Sequence, residues 1–395
     1  MGGSSNFLYY LLTYLDKEKF EPFVAFYLPN HGAGTEAIRR LSVPVLFLDK
    51  NPEPTRFFPF TLLSGNSRSR LSHKIKVILR VALRMLLVEI PQAWRLLWHL
   101  RREHISLVVL NNDVHYHVPG VMATKLAKLP CICRKAGGIG EGRRLKSLLV
   151  PAVDLFICVS RATQADQLET APPPKRVEIV YEGVDIKSFD PSPPSPKVRS
   201  ELHLPAGKKV IGYVSRFDEG KGHAEFLDAA ALVVSQYTNV VFLIVGDEVP
   251  PTGAFLKKLQ AQAHELKLDD HVIFTGWRDD MPETLSVLDI FVHCPTTWIE
   301  GLGIAHLEAM AMGKPTVVSD NGGLPDVVLD GVTGFLVPPG NIQELSAAIL
   351  RLLRDDELAR RLGANARQRA VKEFDIEKNT QKLGKLFEEY VVADR

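Results

Sequence analysis

The 395-residue chain is short of several things. It has four cysteines, Cys131, Cys133, Cys158 and Cys294, and no Cys-x-x-Cys pair, which argues against a zinc ribbon or a dithiol redox motif. Cys131 and Cys133 stand two apart on an expected strand. They point to one face and read as reduced core thiols, which a reducing cytosol suits. No Asp-x-Asp triplet is present. His115 and His117 have the spacing of metal ligands, but Asp113 alone accompanies them, and no metal is expected there. No uninterrupted apolar run approaches the ~20 residues of a membrane span. The opening Met1-Gly2-Gly3-Ser4-Ser5-Asn6 lacks the basic start of a signal peptide, and Asn6 stands where myristoylation wants Ser or Thr. Neither charge dominates, since 48 Lys+Arg against 46 Asp+Glu leave +2, so no nucleic-acid partner is expected. These absences suit a cytoplasmic protein.

What is present suits large cores: 46% of residues are hydrophobic and 24% charged, and the length allows two domains or three. Short apolar, β-rich runs alternate with helical segments throughout. Expected strands cover 23–27, 43–48, 107–110, 130–134, 155–159 and 177–181, then 210–214, 240–245, 272–275, 290–293, 316–319 and 335–337. Strands alternating with helices mean parallel sheets covered on both faces. The Pro- and Ser-rich stretch 190–196 reads as a linker. An amphipathic helix over 377–392 ends the chain, with Leu383, Leu386, Phe387 and Tyr390 as its stripe.

The run Glu300-Gly301-Leu302-Gly303-Ile304-Ala305-His306-Leu307-Glu308 is the most informative. A glycine pair opens a helix, one carboxylate precedes it and a second lies inside it. Gly313, Lys314 and Pro315 then end the helix and feed a strand. Unpaired N–H groups at a helix start can hold a phosphate, and glycine lets the backbone approach it. Two carboxylates would repel that phosphate, so they suit hydroxyls. Phosphate plus hydroxyls suggests a nucleotide-sugar. The bland alternative is a carboxylate favoured by the helix dipole, which fits Glu300 better than Glu308.

This pattern resembles the paired-glutamate signature of the retaining glycosyltransferases of family four. The resemblance extends to Ile211-Gly212-Tyr213-Val214-Ser215-Arg216-Phe217-Asp218-Glu219-Gly220-Lys221-Gly222, to Val245-Gly246-Asp247, to Phe274-Thr275-Gly276-Trp277, to Gly322-Gly323-Leu324-Pro325-Asp326 and to Gly331-Val332-Thr333-Gly334-Phe335-Leu336-Val337. It implies a GT-B fold, α/β, with two Rossmann-like doubly wound domains facing across a cleft. The implied boundaries are an acceptor-side domain over 1–185, a linker over 186–200, a nucleotide-sugar-binding domain over 201–374 and a helix over 375–395 that crosses back to the first domain.

The resemblance also implies roles. Arg216 and Lys221 would face the donor diphosphate and stabilise the charge it gains as the glycosidic bond breaks. Glu300 would contact the transferred sugar, and Glu308 the ribose hydroxyls. The amides of Gly301, Leu302, Gly303 and Ile304 would meet sugar or phosphate, Gly246 would border the donor, and backbone near Trp277 and Arg278 would read the base unless those side chains simply cover the loop. Family members commonly have Phe where Leu302 stands, which reshapes the sugar pocket. The donor would be a UDP- or GDP-sugar, with no metal required and no other cofactor. Arg134 stands where many relatives carry a His. It cannot act as a base, but with Asn112 and Glu141 it would border the acceptor, unless it forms an interdomain salt bridge instead. Asn111 and Asp113, and the loop carrying Arg143 and Arg144, are further candidates.

Gly2, Gly3 and Ser4 resemble the loop that follows the first strand of the family's N-terminal domain; Gly2 and Gly3 would approach the donor phosphate, with a disordered terminus as the alternative. The strand before that loop is missing. Its two neighbours are then expected to lose a ladder of hydrogen bonds, as though Met1 were an internal start with about ten residues upstream; a family variant with a differently closed sheet is the alternative.

Arg68, Arg70, Lys74, Lys76, Arg80, Arg84, Arg95, Arg101 and Arg102 lie close together against Glu89, with Trp94 and Trp98 four apart. A basic amphipathic helix over 68–102 suits an anionic membrane surface, placing the protein on the inner face of the cell membrane. An ordinary packed helix with a solvated basic face is the alternative. The activity expected is transfer of a sugar to a glycan or lipid-linked acceptor in polysaccharide or lipopolysaccharide biosynthesis. A nucleotide-sugar epimerase or small-molecule glycosyltransferase of the same fold, and a catalytically silent sugar-nucleotide-binding module, stay open as alternatives.

Overall fold

The computed structural model describes residues 3–27, 33–49, 82–140, 148–249 and 252–392. The chain forms two compact units. One comprises 1–158, 164–180 and 380–395, the other 159–163 and 181–379.

The second unit is built on one parallel sheet of six strands: β7 (Lys209–Val214), β8 (Val240–Val245), β9 (Val272–Gly276), β10 (Ile290–His293), β11 (Thr316–Ser319) and β12 (Gly334–Val337). Their spatial order is β12-β11-β10-β7-β8-β9. Every residue of β8, Val-Val-Phe-Leu-Ile-Val, is buried, because helices cover both faces and an alternating pattern has no solvent side to serve. The helices His223–Val234 and Ile342–Arg354 close one face, with Phe226, Leu227, Ala230, Leu345 and Ile349 in the core. The strand order reverses at β7, which lies between β10 and β8. Loops leaving the carboxyl ends of β7 and β10 therefore diverge around a crevice, the place where doubly wound sheets bind ligands.

The first unit holds a parallel four-stranded sheet, β3 (Val108–Asn111), β4 (Cys131–Lys135), β5 (Leu155–Cys158) and β6 (Val177–Ile179), in that order. A separate parallel pair, β1 (Val24–Phe26) with β2 (Val45–Phe47), shares no ladder with it among the described residues. Phe7 and Leu11 of the first helix, Gly3–Tyr14, pack with Ile132, Leu155, Ile157, Leu383 and Phe387. The last helix, Ile376–Val392, thus contributes to this unit from Thr380 onward. All four cysteines are buried and none is in a disulfide.

The expected linker differs. The chain enters the second unit at Tyr181, ahead of the proline- and serine-rich stretch, and residues 159–163 also belong to that unit. Part of the stretch folds as the helix Pro196–Glu201, because Ser195 accepts from Val198 N and Pro196 occupies its first turn.

Candidate active site

Two loops meet at the reversal point of the six-stranded sheet. The first follows β7 and carries Arg216, Asp218, Gly220, Lys221 and Gly222. Gly222 has φ +92°, and a Cβ there would lie 1.8 Å from the Cys294 carbonyl oxygen, so only glycine permits the approach. The second loop follows β10 and is bonded to the first: Thr296 N donates to Gly220 O at 2.8 Å and Trp298 N to the same oxygen at 3.2 Å. Asn321 steadies it by donating to Thr296 O at 3.0 Å.

This clamp joins side chains far apart in sequence. Lys221 Nζ donates to Glu300 Oε1 at 2.5 Å, both residues being buried. The Lys221 ammonium also lies 4.4 Å from the Trp298 ring centroid, and the Arg216 guanidinium faces the same ring at 5.7 Å. Arg216 is half-exposed and pairs with Asp218. His293, the last residue of β10, places Nε2 3.2 Å from Glu300 Oε1. Burial works to raise the Glu300 carboxyl, but the His293 hydrogen bond and the Lys221 charge outweigh it and hold the group at about 2. Glu300 is therefore an anion across the physiological range.

The chain continues through Gly301, Leu302 and Gly303 into the helix Ile304–Ala311. Leu302 is buried at 1% exposure, so its side chain packs inward. Gly303 sits at φ +83° before the first turn. Gly323 N donates to Glu300 O at 2.9 Å, which ties the run to the loop after β11. Glu308, one turn into the helix, behaves oppositely to Glu300: burial pushes its carboxyl up to about 7. The two carboxylates of one motif thus have unlike chemistry, one permanently charged and one poised near neutrality.

The remaining expected donor-side residues are dispersed. Gly246, at φ +141°, follows β8, and its N donates to Gly276 O at 3.0 Å. Trp277 is 50% exposed with its indole N–H on Asp279 Oδ1 at 2.9 Å. Arg278 is committed to structure, donating to Asp280, Thr284 and Glu201 at 2.5–3.1 Å. Gly3 begins the first helix, while Gly2 lies outside the described residues.

In the first unit, Arg134 on β4 is buried, its guanidinium 3.6 Å from the Phe7 ring centroid and Nη1 on Asn111 Oδ1 at 2.8 Å. Burial lowers it to about 9. Asn112 N donates to Arg134 O at 3.1 Å. The fully buried Lys135 reaches Asp113 at 2.7 Å and Asp166 at 2.5 Å. His115 Nδ1 lies 3.1 Å from Asp113 Oδ1, and His117 Nδ1 lies 3.2 Å from the Tyr27 hydroxyl. Glu141, Arg143 and Arg144 lie outside the described residues. So do Arg68, Arg70, Lys74, Lys76 and Arg80. The described part of that segment is a π-helical turn, Met85–Glu89, followed by the helix Ile90–Arg102. Trp94 and Trp98 are 60% and 55% exposed. Arg102 stacks on Trp98 at 4.8 Å, Arg84 pairs with Glu89 at 2.7 Å and Arg95 donates to Leu48 O at 2.7 Å. No helix among the described residues is long and apolar enough to cross a membrane.

Sequence reasoning missed His293 and Trp298. The first reads as an ordinary strand end and the second as loop. Their one signal is nearness to Glu300, seven and two positions upstream.

Comparison with known proteins follows the same division. Residues 195–369 match the profile described as "Glycosyl transferases group 1", and residues 1–188 the profile "Glycosyltransferase Family 4". The chain is 33% identical over 279 residues to the alpha-maltose-1-phosphate synthase of Mycolicibacterium smegmatis, covering 66% of this chain and 70% of that protein. It is 28% identical over 300 residues to the UDP-Gal:alpha-D-GlcNAc-diphosphoundecaprenol alpha-1,3-galactosyltransferase of Escherichia coli, covering 71% and 76%. Among solved structures, Anabaena HepE in complex with UDP and glucose superposes with a TM-score of 0.78 at 24% identity, over 98% of this chain and 96% of that one. That likeness concerns the fold.

Proposed function

The chain belongs to the group 1 glycosyl transferases of glycosyltransferase family 4, GT-B in fold, and on that premise we propose that it moves a sugar from a nucleotide-diphosphate-sugar to a glycan or lipid-linked acceptor with retention of anomeric configuration. The observation that carries this reading is the Lys221–Glu300 pair at the start of the helix Ile304–Ala311, with Arg216 on the same tryptophan. Lys221 and Arg216 supply the positive charge that the departing diphosphate needs, so the chemistry calls for no metal. The Gly301–Ile304 backbone at the helix start suits the phosphate or sugar oxygens. The charged Glu300 accepts from a hydroxyl of the transferred sugar. Glu308, on the same helix, is assigned to the ribose hydroxyls, and Gly246, Trp277 and Arg278 to the donor's base side. No side chain stands out as a covalent nucleophile. The departing phosphate then helps deprotonate an acceptor that attacks from the same face.

A UDP-sugar is the first donor to try, because UDP, and in another complex UDP-glucose, is bound in a neighbour of the same fold. A lipid-linked acceptor is supported by relatives whose names carry diphosphoundecaprenol and phosphatidylinositol acceptors. Arg134, Asn112 and Glu141 are proposed on the acceptor side. The exposed Trp94 and Trp98 beside Arg101 and Arg102 suit an anionic membrane face. That would hold the protein at the inner surface of the cell membrane, near a lipid-linked substrate.

Screening UDP- and GDP-sugars by thermal shift, then following turnover of the stabilising compound, tests the reading. Turnover abolished by K221A or E300Q with folding intact supports it, and the released anomer reports retention. A chain that binds such a donor but never turns it over, with any acceptor fraction, is a silent binding module instead.

A further inference from the structure

Beneath the Lys221–Glu300 pair lies a row of buried rings that the proposed chemistry does not use. His293, Tyr213, His306 and His223 are each at most 4% exposed. The His293 ring lies 6.1 Å from that of His306 and 6.0 Å from that of Tyr213, and Tyr213 lies 5.0 Å from His223. Two members of the row touch the site: the Tyr213 hydroxyl donates to the Lys221 carbonyl oxygen, and His293 Nε2 reaches the Glu300 carboxylate at Oε1, 3.2 Å away. A carboxylate only accepts, so Nε2 carries the hydrogen. Nδ1 of the same ring is buried with no hydrogen-bond partner. A buried polar atom left unmatched is costly, and here it accompanies an imidazole turned toward one carboxylate oxygen.

Both protein bonds fall on that oxygen. Lys221 and His293 share Oε1, and among the described residues no hydrogen bond reaches Oε2. Oε2 is then the atom available to a sugar hydroxyl. The two supports differ in what else they serve. Lys221 sits on a loop beside Arg216 and Trp298, where a diphosphate would draw its charge away from Glu300. His293 is enclosed at the end of β10 and has no second anion to serve.

We propose that His293 is a positioning residue, which keeps Glu300 ionised and its Oε2 aimed at the transferred sugar while Lys221 is engaged by the diphosphate. This rests on the transferase reading and assigns a division of labour within that site. The ionisable groups facing His293 and Glu300 are Tyr213 on β7, Lys221 on the loop after β7, His223 at the start of the helix His223–Val234, His306 on the helix Ile304–Ala311, and Cys294 next in the chain. Among the described residues, Lys221 and His293 are the two that bond to the Glu300 carboxylate.

The test removes Lys221 so that its departure is permanent. Protein carrying 13C-carboxyl glutamate is titrated as K221A, K221A/H293F and K221A/H293Q, with E300Q assigning the signal. Glu300 in K221A is expected to titrate below the ordinary carboxylate range. In K221A/H293F its midpoint should rise by at least ~1 pH unit, tenfold in proton affinity, as loss of a hydrogen bond to a charged group implies. Gln places its amide nitrogen near the position of Nε2 and should restore most of the shift. With Lys221 present, H293F should bind UDP within about twofold of the parent, yet lower UDP-glucose turnover at least ~10-fold and move its acid limb to higher pH, with H293Q again rescuing. An unchanged Glu300 midpoint in K221A/H293F overturns the proposal. If phenylalanine does not fold there, H293Q against H293N decides, because Asn is too short to reach; equal Glu300 midpoints in those two overturn it. A parent that turns over no nucleotide-sugar defeats the transferase reading, while the titrations still judge His293.

Discussion

Lys221 Nζ and Glu300 Oε1 lie 2.5 Å apart although 79 positions separate them in the chain. Neither is more than 11% exposed at its side chain, so the pair is held away from bulk water. Its geometry follows from β10 lying beside β7, which brings the loop after each strand to the same end of the sheet. A buried pair of this kind is weak as a source of stability but sensitive to the loss of one partner.

K221A should therefore destabilise the second unit by about 3 kcal/mol, toward the low end for a broken buried pair because His293 still supports Glu300. Urea unfolding at pH 7 measures this. UDP affinity should fall with it. A K221A protein within about 0.5 kcal/mol of the parent, the scatter of an ordinary surface substitution, would mean that the pair is not formed in solution.

Glu308 predicts an unusual pH dependence. Burial raises its folded carboxyl from 4.5 to about 7. Between those values the folded state holds the proton that the unfolded state has lost. The group's contribution is fully present below pH 4.5 and declines as pH rises through 7. E308Q should match the parent near pH 4 and exceed it at pH 8 by ~1–3 kcal/mol, while nucleotide-sugar affinity drops at least ~10-fold for a lost hydroxyl contact to a charged group. Identical stability curves for the two proteins would contradict the desolvation of this part-buried carboxyl.

His223 and His306 act in the opposite direction. Burial lowers each from 6.5 to about 3. The unfolded chain binds their protons first, so stability is full above pH 6.5 and is lost as pH falls toward 3. H306Q should reduce the slope of unfolding free energy against pH between 6 and 4 by about one proton. A slope that does not change would place His306 in contact with water.

Gly222 permits no side chain. At φ +92°, with a Cβ only 1.8 Å from the Cys294 carbonyl oxygen, G222A forces the two site loops apart and should cost at least ~3 kcal/mol. Urea midpoints against G207A are a fair comparison, since Gly207 shares a positive φ but has nothing within 4 Å of its Cβ position. Equal losses would show that backbone strain alone, and not the loop contact, matters.

The exposed tryptophans and arginines of the helix Ile90–Arg102 predict two separable components of vesicle binding. R101E/R102E should weaken binding to phosphatidylserine vesicles at low salt by ~1 kcal/mol or more for each residue and flatten its salt dependence. W94S/W98S should lower the part that survives high salt. Binding equal to the parent in both variants would remove the membrane face from the proposed function.

Much of this was legible before any coordinates. The alternation of apolar strand and helix predicted parallel α/β sheets, and the glycine pair 301 and 303 marked the start of the helix Ile304–Ala311. The paired carboxylates Glu300 and Glu308 stand out because both lie within one short run, where order along the chain is order in space. The expectation for Arg278 shows the limit: its loop position was readable, but its bonds to Glu201, Asp280 and Thr284 were not.

Residue order alone determined the doubly wound architecture, the family and the run that carries the site, because periodicity and turn chemistry act over a few neighbouring positions. Tertiary structure decided that Lys221 and His293 share one oxygen of Glu300, that Trp298 faces both Lys221 and Arg216, and that the two glutamates of a single motif ionise so differently. Those outcomes depend on which strands lie side by side and on how completely water is excluded around each carboxylate, and no local pattern encodes either.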